Sequence, residues 1–149
     1  MELLRVAFVD ASGQPVDEVA YDRDCELAFT LRVVAPLREL TFGFGFHTTD
    51  FLYLTTHNSE EQIDVSAIEP GDYTVRCRVR RMPLLPGVYS LRFGITAGQA
   101  ARVVFYAENL LHFRVGGDVP VTVRQGFFAL DSRWTEPEPL AAAQSAEIA

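Results

Sequence analysis

Apolar and polar residues alternate along most of this chain with a period of two, the signature of half-buried β-strands. "LLRVAFVD" (3–10) reads as a first strand, closed by the turn-rich "DASGQP" (10–15). "CELAFTLRVV" (25–34) sets Leu27, Phe29, Leu31 and Val33 against Glu26, Ala28, Thr30 and Arg32. "LTFGFGFH" (40–47) sets Phe42, Phe44 and Phe46 against Gly43, Gly45 and His47. Further strands are expected at 51–56, 71–80, 88–96 and within 102–115, with a last extended stretch over 119–134. That makes about eight strands at the spacing of an antiparallel β-sandwich, and no segment carries a helical period.

The segments 71–80 and 88–96 invite pairing as a hairpin across "RMPLLPG" (81–87). With Arg80 opposite Val88, the apolar pairs become Val79 with Tyr89, Cys77 with Leu91, Val75 with Phe93 and Tyr73 with Ile95. The other face then sets Arg78 against Ser90 and Arg76 against Arg92. A slip of one residue would bury arginines, so the parity is strongly specified. Tyr89 is expected to be buried with its hydroxyl bonded, since a buried phenol seeks a partner, and Phe93 to be core. The like-charge pair Arg76–Arg92 would cost stability, so removing either side chain should relieve it.

Length and composition narrow the picture. A chain of 149 residues suits one domain with an adequate core. We take 1–134 as that domain and 135–149, "TEPEPLAAAQSAEIA", as a flexible tail in which "PLAAAQSAEI" offers one or two helical turns. With 48% hydrophobic and 22% charged residues, the composition is that of a soluble globular protein. No apolar run approaches the ~20 residues of a membrane span, and "MELLRVAFVD" lacks a secretory leader's basic start. A cytoplasmic location and no direct membrane insertion are the expectations.

A net charge of −7 argues against nucleic acid as a partner. All 13 basic residues are arginine. Without lysine there is no Schiff-base chemistry and no P-loop lysine, so the chain is not a Walker-type ATPase. Cys25 and Cys77 share the parity of their strands' apolar residues and read as two small buried hydrophobes, with pairing left open.

"LLPGVYSLRFGI", then "AENLLHFRV", then "GFFALDSRW" resemble the carboxy-terminal carbohydrate-binding domain of Wzt-type ABC-exporter subunits. The likeness rests on Pro86-Gly87-x-Tyr89-x-Leu91, Phe113-x-Val115, Gly126 and Trp134, and on the edge strand and Gly turn of "VAFVDASGQPV". It covers roughly residues 3 to 134. One position departs: the family often has an Asp-Gly turn after its third strand, and here Asp50 is followed by Phe51. The family's amino-terminal ATPase domain has no counterpart in this sequence.

The resemblance implies an all-β, immunoglobulin-like sandwich of two sheets that binds exported O-antigen polysaccharide, near its terminal end, without catalysis. Implied partners are that glycan, the exporter's ATPase and membrane subunits at the inner membrane, and a second copy joined by exchange of carboxy-terminal strands. Gly116 and Gly117 would serve as the hinge. The alternative is an immunoglobulin-like adaptor binding a protein along a sheet edge.

Several residues are candidates for glycan contact. Arg76, Arg78, Arg80 and Arg92 form either a solvated face balanced by carboxylates or a set of planar forks for sugar hydroxyls and acidic sugars. Gly43 and Gly45 strip one face of a strand, either for tight packing or a bulge, or to make a flat floor for a sugar ring with His47 at its edge. Tyr53, His57 and Asn58 lie in or beside the polar loop "TTHNSEE". Tyr106 and Trp134 could stack on sugars, although Trp134 reads better as packing for the last strand. His47, His57 and His112 have no spacing of zinc ligands, no nucleophile elbow occurs, and nothing selects a carboxylate pair. No metal, cofactor or catalytic residue is therefore expected.

Overall fold

The computed structural model describes residues 1–120 and 126–140. Its eleven strands are β1 (Glu2–Val9), β2 (Pro15–Val16), β3 (Glu18–Ala20), β4 (Cys25–Val33), β5 (Leu37–His47), β6 (His57–Asn58), β7 (Val65–Ile68), β8 (Gly71–Val79), β9 (Gly87–Ala97), β10 (Arg102–Ala107) and β11 (His112–Gly116). They form two sheets, and no helix occurs among the described residues. The smaller sheet runs β2-β1-β4-β8. The larger runs β3-β11-β9-β5-β6, with β10 also on β9 and β7 also on β5. All pairs are antiparallel except β3 with β11.

The core is the set of alternating residues on the two inner faces. Leu27, Phe29, Leu31 and Val33 of β4 face Phe42 and Phe46 of β5, Tyr89, Leu91, Phe93 and Ile95 of β9, and Phe113 and Val115 of β11. Phe8 packs on Phe113 with ring centroids 4.8 Å apart. Burial of these rings and branched side chains drives assembly, at roughly 25 cal/mol per Å² of apolar surface removed from water. Tyr89 is buried as expected, and its hydroxyl donates to the Leu85 carbonyl at 2.6 Å. Cys25 and Cys77 are half-buried free thiols. Burial, followed by the nearby Asp24, pushes the Cys25 pKa up to about 11.

The expected hairpin between 71–80 and 88–96 does not form. β8 pairs with β4, with Leu27 opposite Cys77 and Phe29 opposite Val75, whereas β9 lies in the other sheet between β5 and β10–β11. Alternation fixes which residues point inward, but both inner faces of a sandwich make the same apolar demand, so parity does not choose the sheet. The connecting segment does. Met82, Leu84 and Leu85 are all buried, and Met82 exchanges backbone hydrogen bonds with Asp22 and Arg23. The chain thus crosses one end of the sandwich as part of its core, and a hairpin loop would have left these side chains in water.

Three further expectations are corrected. Residues 51–56 form no strand, because a turn closes over Thr48–Leu52 and the return to β5 is limited to the Tyr53–His47 bridge and the Leu54 and Thr55 amides on the Phe46 carbonyl. The stretch 102–115 holds the expected strand as β10 but also a second, β11, after a break at 108–111 with Asn109 at φ 56°. Past Gly117, the described part of 119–134 makes a single bridge, Leu84 with Phe128, and Trp134 is 93% exposed among the described residues. Residues 121–125 of that stretch, and most of the segment expected to form helical turns, lie outside the described residues.

Candidate functional site

The arginines expected on one face are divided between the two sheets. Arg76 and Arg78 stand on the outer face of β8, while Arg92 stands on the outer face of β9. Each of the first two meets an acid of the β4 side: Arg76 lies 3.5 Å from Glu26, and Arg78 lies 3.0 Å from Asp24. Arg32 and Asp72 continue the row at 2.9 Å, and Arg81 meets Asp22 at 2.9 Å. The Arg81 backbone amide, then the Arg78 guanidinium, hold the Asp24 carboxyl below its usual range, and Arg32 does the same for Asp72. Exposed pairs of this kind add little stability, but they leave the face electrically balanced. Arg80 follows the end of β8, exposed and without an ion pair among the described residues.

The outer face of the larger sheet is built differently. There β5 contributes Gly43, Gly45 and His47, and β9 contributes Ser90, Arg92 and Gly94, in the cross-strand pairs His47–Ser90, Gly45–Arg92 and Gly43–Gly94. On its far side, Gly94 is paired with Tyr106 of β10. A Cβ on Gly94 would lie 3.1 Å from the edge of the Tyr106 ring, so the glycine gives that ring room beside β9. Tyr106 remains 53% exposed.

Loop 48–56 closes over the other end of this face. Thr55 and Arg92 both press on Gly45, where a Cβ would fall 2.2 Å from the Thr55 carbonyl oxygen and 2.7 Å from Arg92 Nη2. Gly45 is thus required by close packing and is covered. Arg92 donates from Nη2 to that carbonyl at 3.2 Å, its guanidinium carbon lies 4.3 Å from the Tyr53 ring centre, and its buried Nε has no partner. A cation under an aromatic face gains from the ring quadrupole.

His47 is fully buried beneath this loop. Nδ1 lies 2.6 Å from the Thr48 carbonyl and Nε2 lies 3.2 Å from the Asn109 backbone N–H. The Asn109 N–H makes Nε2 the acceptor and leaves Nδ1 to donate to the Thr48 carbonyl. Phe51 stacks on it with centroids 5.2 Å apart. Phe51 stands at φ 67°, in the left-handed region that a glycine would occupy without strain.

The centre of the face is Glu108, in the break between β10 and β11. Its Oε1 accepts hydrogen bonds from the hydroxyls of both Tyr53 and Tyr106, the latter at 2.7 Å. These two bonds, Tyr53's first, hold the Glu108 carboxyl below its ordinary pKa, and the carboxylate pushes the Tyr53 phenol up. Asn109 Oδ1 accepts from Ser90 Oγ at 2.9 Å and lies 2.6 Å from His112 Nε2.

Of the residues singled out from sequence, the fold gathers Gly45, His47, Tyr53, Arg92 and Tyr106 in one place. Gly43 and its neighbour Asn58 on β6 flank it. Arg76 and Arg78 belong to the opposite sheet. Glu108 was missed. Its only sequence signal is the i, i+2 spacing from Tyr106, which places both on one side of a strand.

Elsewhere, a groove of about 890 Å³ opens along the seam between β8 and β6. Phe29, Phe44 and Val75 line its depth, with Arg76, His57 and Asn58 at its rims. The His57 ring lies nearly parallel to Phe44, 3° between planes and 6.3 Å between centroids.

A family profile described as the Wzt C-terminal domain matches residues 1–130. The chain belongs to the Wzt C-terminal domain family. The match runs from β1 past the Leu84–Phe128 bridge and so contains both the Tyr53–Glu108–Tyr106 cluster and the seam groove, while Trp134 lies beyond it. Among solved structures, the crystal structure of the C-terminal domain of Wzt superposes with a TM-score of 0.74, covering 91% of this chain and 83% of that one. At 17% identity this is a likeness of fold. No curated protein sequence matches the chain.

Proposed function

We propose that this Wzt C-terminal domain is a non-catalytic module that binds O-antigen polysaccharide and couples it to ABC-transporter export from the cytoplasmic side of the inner membrane. The observation that carries this reading is the cluster on the outer face of the larger sheet. There the half-exposed Tyr106 ring reaches Gly94 by its edge, beside a carboxylate fixed by two phenols. A flat aromatic next to oriented hydrogen-bonding groups suits a sugar ring, whose C–H face is apolar and whose rim is hydroxyl. Each such hydrogen bond yields only about 0.5–1.5 kcal/mol net in water. One module therefore binds weakly, and a dimer gains by effective concentration. The polysaccharide's terminal region is the proposed target.

Titration of the purified domain with the source bacterium's own O-polysaccharide tests the reading. Saturable binding that Tyr106→Ala weakens, with the melting temperature unchanged, is the expected result. Absence of binding to any bacterial glycan removes it.

The seam groove favours a second reading, an adaptor that takes an extended segment of a protein partner. Among the described residues β8 is an unpaired edge of its sheet, and the groove beside it has an apolar depth. Strand exchange between two copies is proposed on the same kind of ground: Phe127, Phe128, Leu130 and Trp134 are all exposed in the single chain.

A further inference from the structure

The sign of charge at the Tyr106 shelf restricts what can bind there. Among the described residues Arg92 is the one arginine in the Tyr53–Glu108–Tyr106 cluster, and most of its guanidinium is engaged. One nitrogen is spent on Thr55, the guanidinium lies against Tyr53, and Nε is buried. What the Tyr53, Tyr106 and Glu108 oxygens offer is acceptors. Both phenol hydrogens are committed to Glu108 Oε1, so each tyrosine oxygen presents lone pairs. Among the described residues Oε2 of Glu108 accepts nothing, and as an ionised carboxylate oxygen it is acceptor-only.

The shelf is therefore a set of acceptors around an anion. A ligand satisfies it by presenting donors. A carboxylate or phosphate there would meet Glu108 as a like charge, and the cation beside it, Arg92, already acts on Glu108 and is engaged with Thr55 and Tyr53. Of the other arginines that suggested acidic sugars, Arg76 and Arg78 are matched to Glu26 and Asp24 on the small-sheet side, and Arg80 follows the end of β8. The chain's net charge of −7 also opposes the approach of a polyanion.

We propose, resting on the carbohydrate reading above, that this shelf selects a neutral, hydroxyl-rich sugar unit. Its ring lies on Tyr106, and adjacent hydroxyls donate to Glu108 Oε2 and the flanking phenol oxygens.

An array of bacterial O-polysaccharides, some neutral and some bearing uronate or phosphate groups, separates the possibilities. The folded wild-type domain is expected to retain neutral members only. Amide spectra of the domain with a retained glycan are expected to shift at Gly94, Tyr106 and Glu108. Because a hydrogen bond to a charged acceptor is the stronger kind, Glu108→Gln should weaken that binding by about tenfold. It should also lessen the exclusion of acidic members, with the melting curve as the control for folding. Selective retention of uronate- or phosphate-bearing glycans overturns the inference while leaving a carbohydrate module. So does a Glu108→Gln domain that binds as wild type, or a shift map centred on the seam groove. If the array retains nothing, the carbohydrate reading falls and this inference with it.

Discussion

Phe29 of β4 and Phe93 of β9 stack across the sandwich, with ring centroids 4.1 Å apart and planes 13° apart. Both are fully buried, and they join the two sheets at the centre of the core. Phe93→Ala should destabilise the domain by about 3–5 kcal/mol through lost transfer energy and the cavity left behind. Chemical denaturation measures this, and a loss under about 1 kcal/mol would place Phe93 at the surface.

Gly45 and Gly43 give a matched pair. A methyl at Gly45 collides with the Thr55 carbonyl and the Arg92 guanidinium, whereas at Gly43 the nearest atoms are 3.6 and 3.8 Å away. Gly45→Ala should cost about 1–3 kcal/mol as loop 48–56 is pushed off the sheet. Gly43→Ala should stay within about 0.5 kcal/mol. Equal thermal shifts for the two would mean that loop 48–56 does not rest on Gly45.

Phe51 sets backbone strain against ring packing. Phe51→Ala loses the stack on His47 and keeps the left-handed strain, while Phe51→Gly loses the stack and relieves the strain. The glycine variant should therefore be the more stable of the two by about 1 kcal/mol. The opposite order in a denaturant series would show that the turn does not hold this conformation.

The Glu108 carboxyl has a folded pKa below its unfolded one. Its contribution is therefore present above the ordinary glutamate value of about 4.3 and is lost as pH falls through the lower, folded value. Glycan affinity should stay flat from neutral pH down to about pH 5 and drop only below the ordinary glutamate range. Glu108→Gln should flatten that acid limb in an affinity titration against pH.

For assembly, the exposed run Phe127, Phe128, Leu130 and Trp134 predicts a two-fold dimer of the intact chain, lost on truncation at Gly117. Light scattering at micromolar concentration should report twice the 16.6 kDa chain mass. A monomer there removes strand exchange.

Strand parity was legible in the sequence because burial enforces it residue by residue. Leu27, Phe29, Phe42, Phe46, Tyr89 and Phe93 all face inward, and Tyr89 finds the acceptor its phenol requires. Sheet membership was not, since Val75 and Cys77 suit either inner face and the deciding residues, Met82, Leu84 and Leu85, sit in an apparent loop. The candidate site was half legible. Alternation put Gly45, His47 and Arg92 on outer faces, but loop 48–56 and the break at 108–111 bring Tyr53 to Glu108 across 55 residues of chain, a contact without local periodicity.

The row of ion pairs along β8 also bears on what this chain does not do. An unpaired strand edge is a template for open-ended addition, which native sheets commonly block with charge. Among the described residues the outer edge of β8 carries no partner, yet it is flanked by Arg76 and Arg78, each already tied to an acid on its own sheet. A second copy docking the same edge would set arginine rung against arginine rung. Growth into fibres along β8 is thereby disfavoured, and self-association is steered toward contacts that close on themselves.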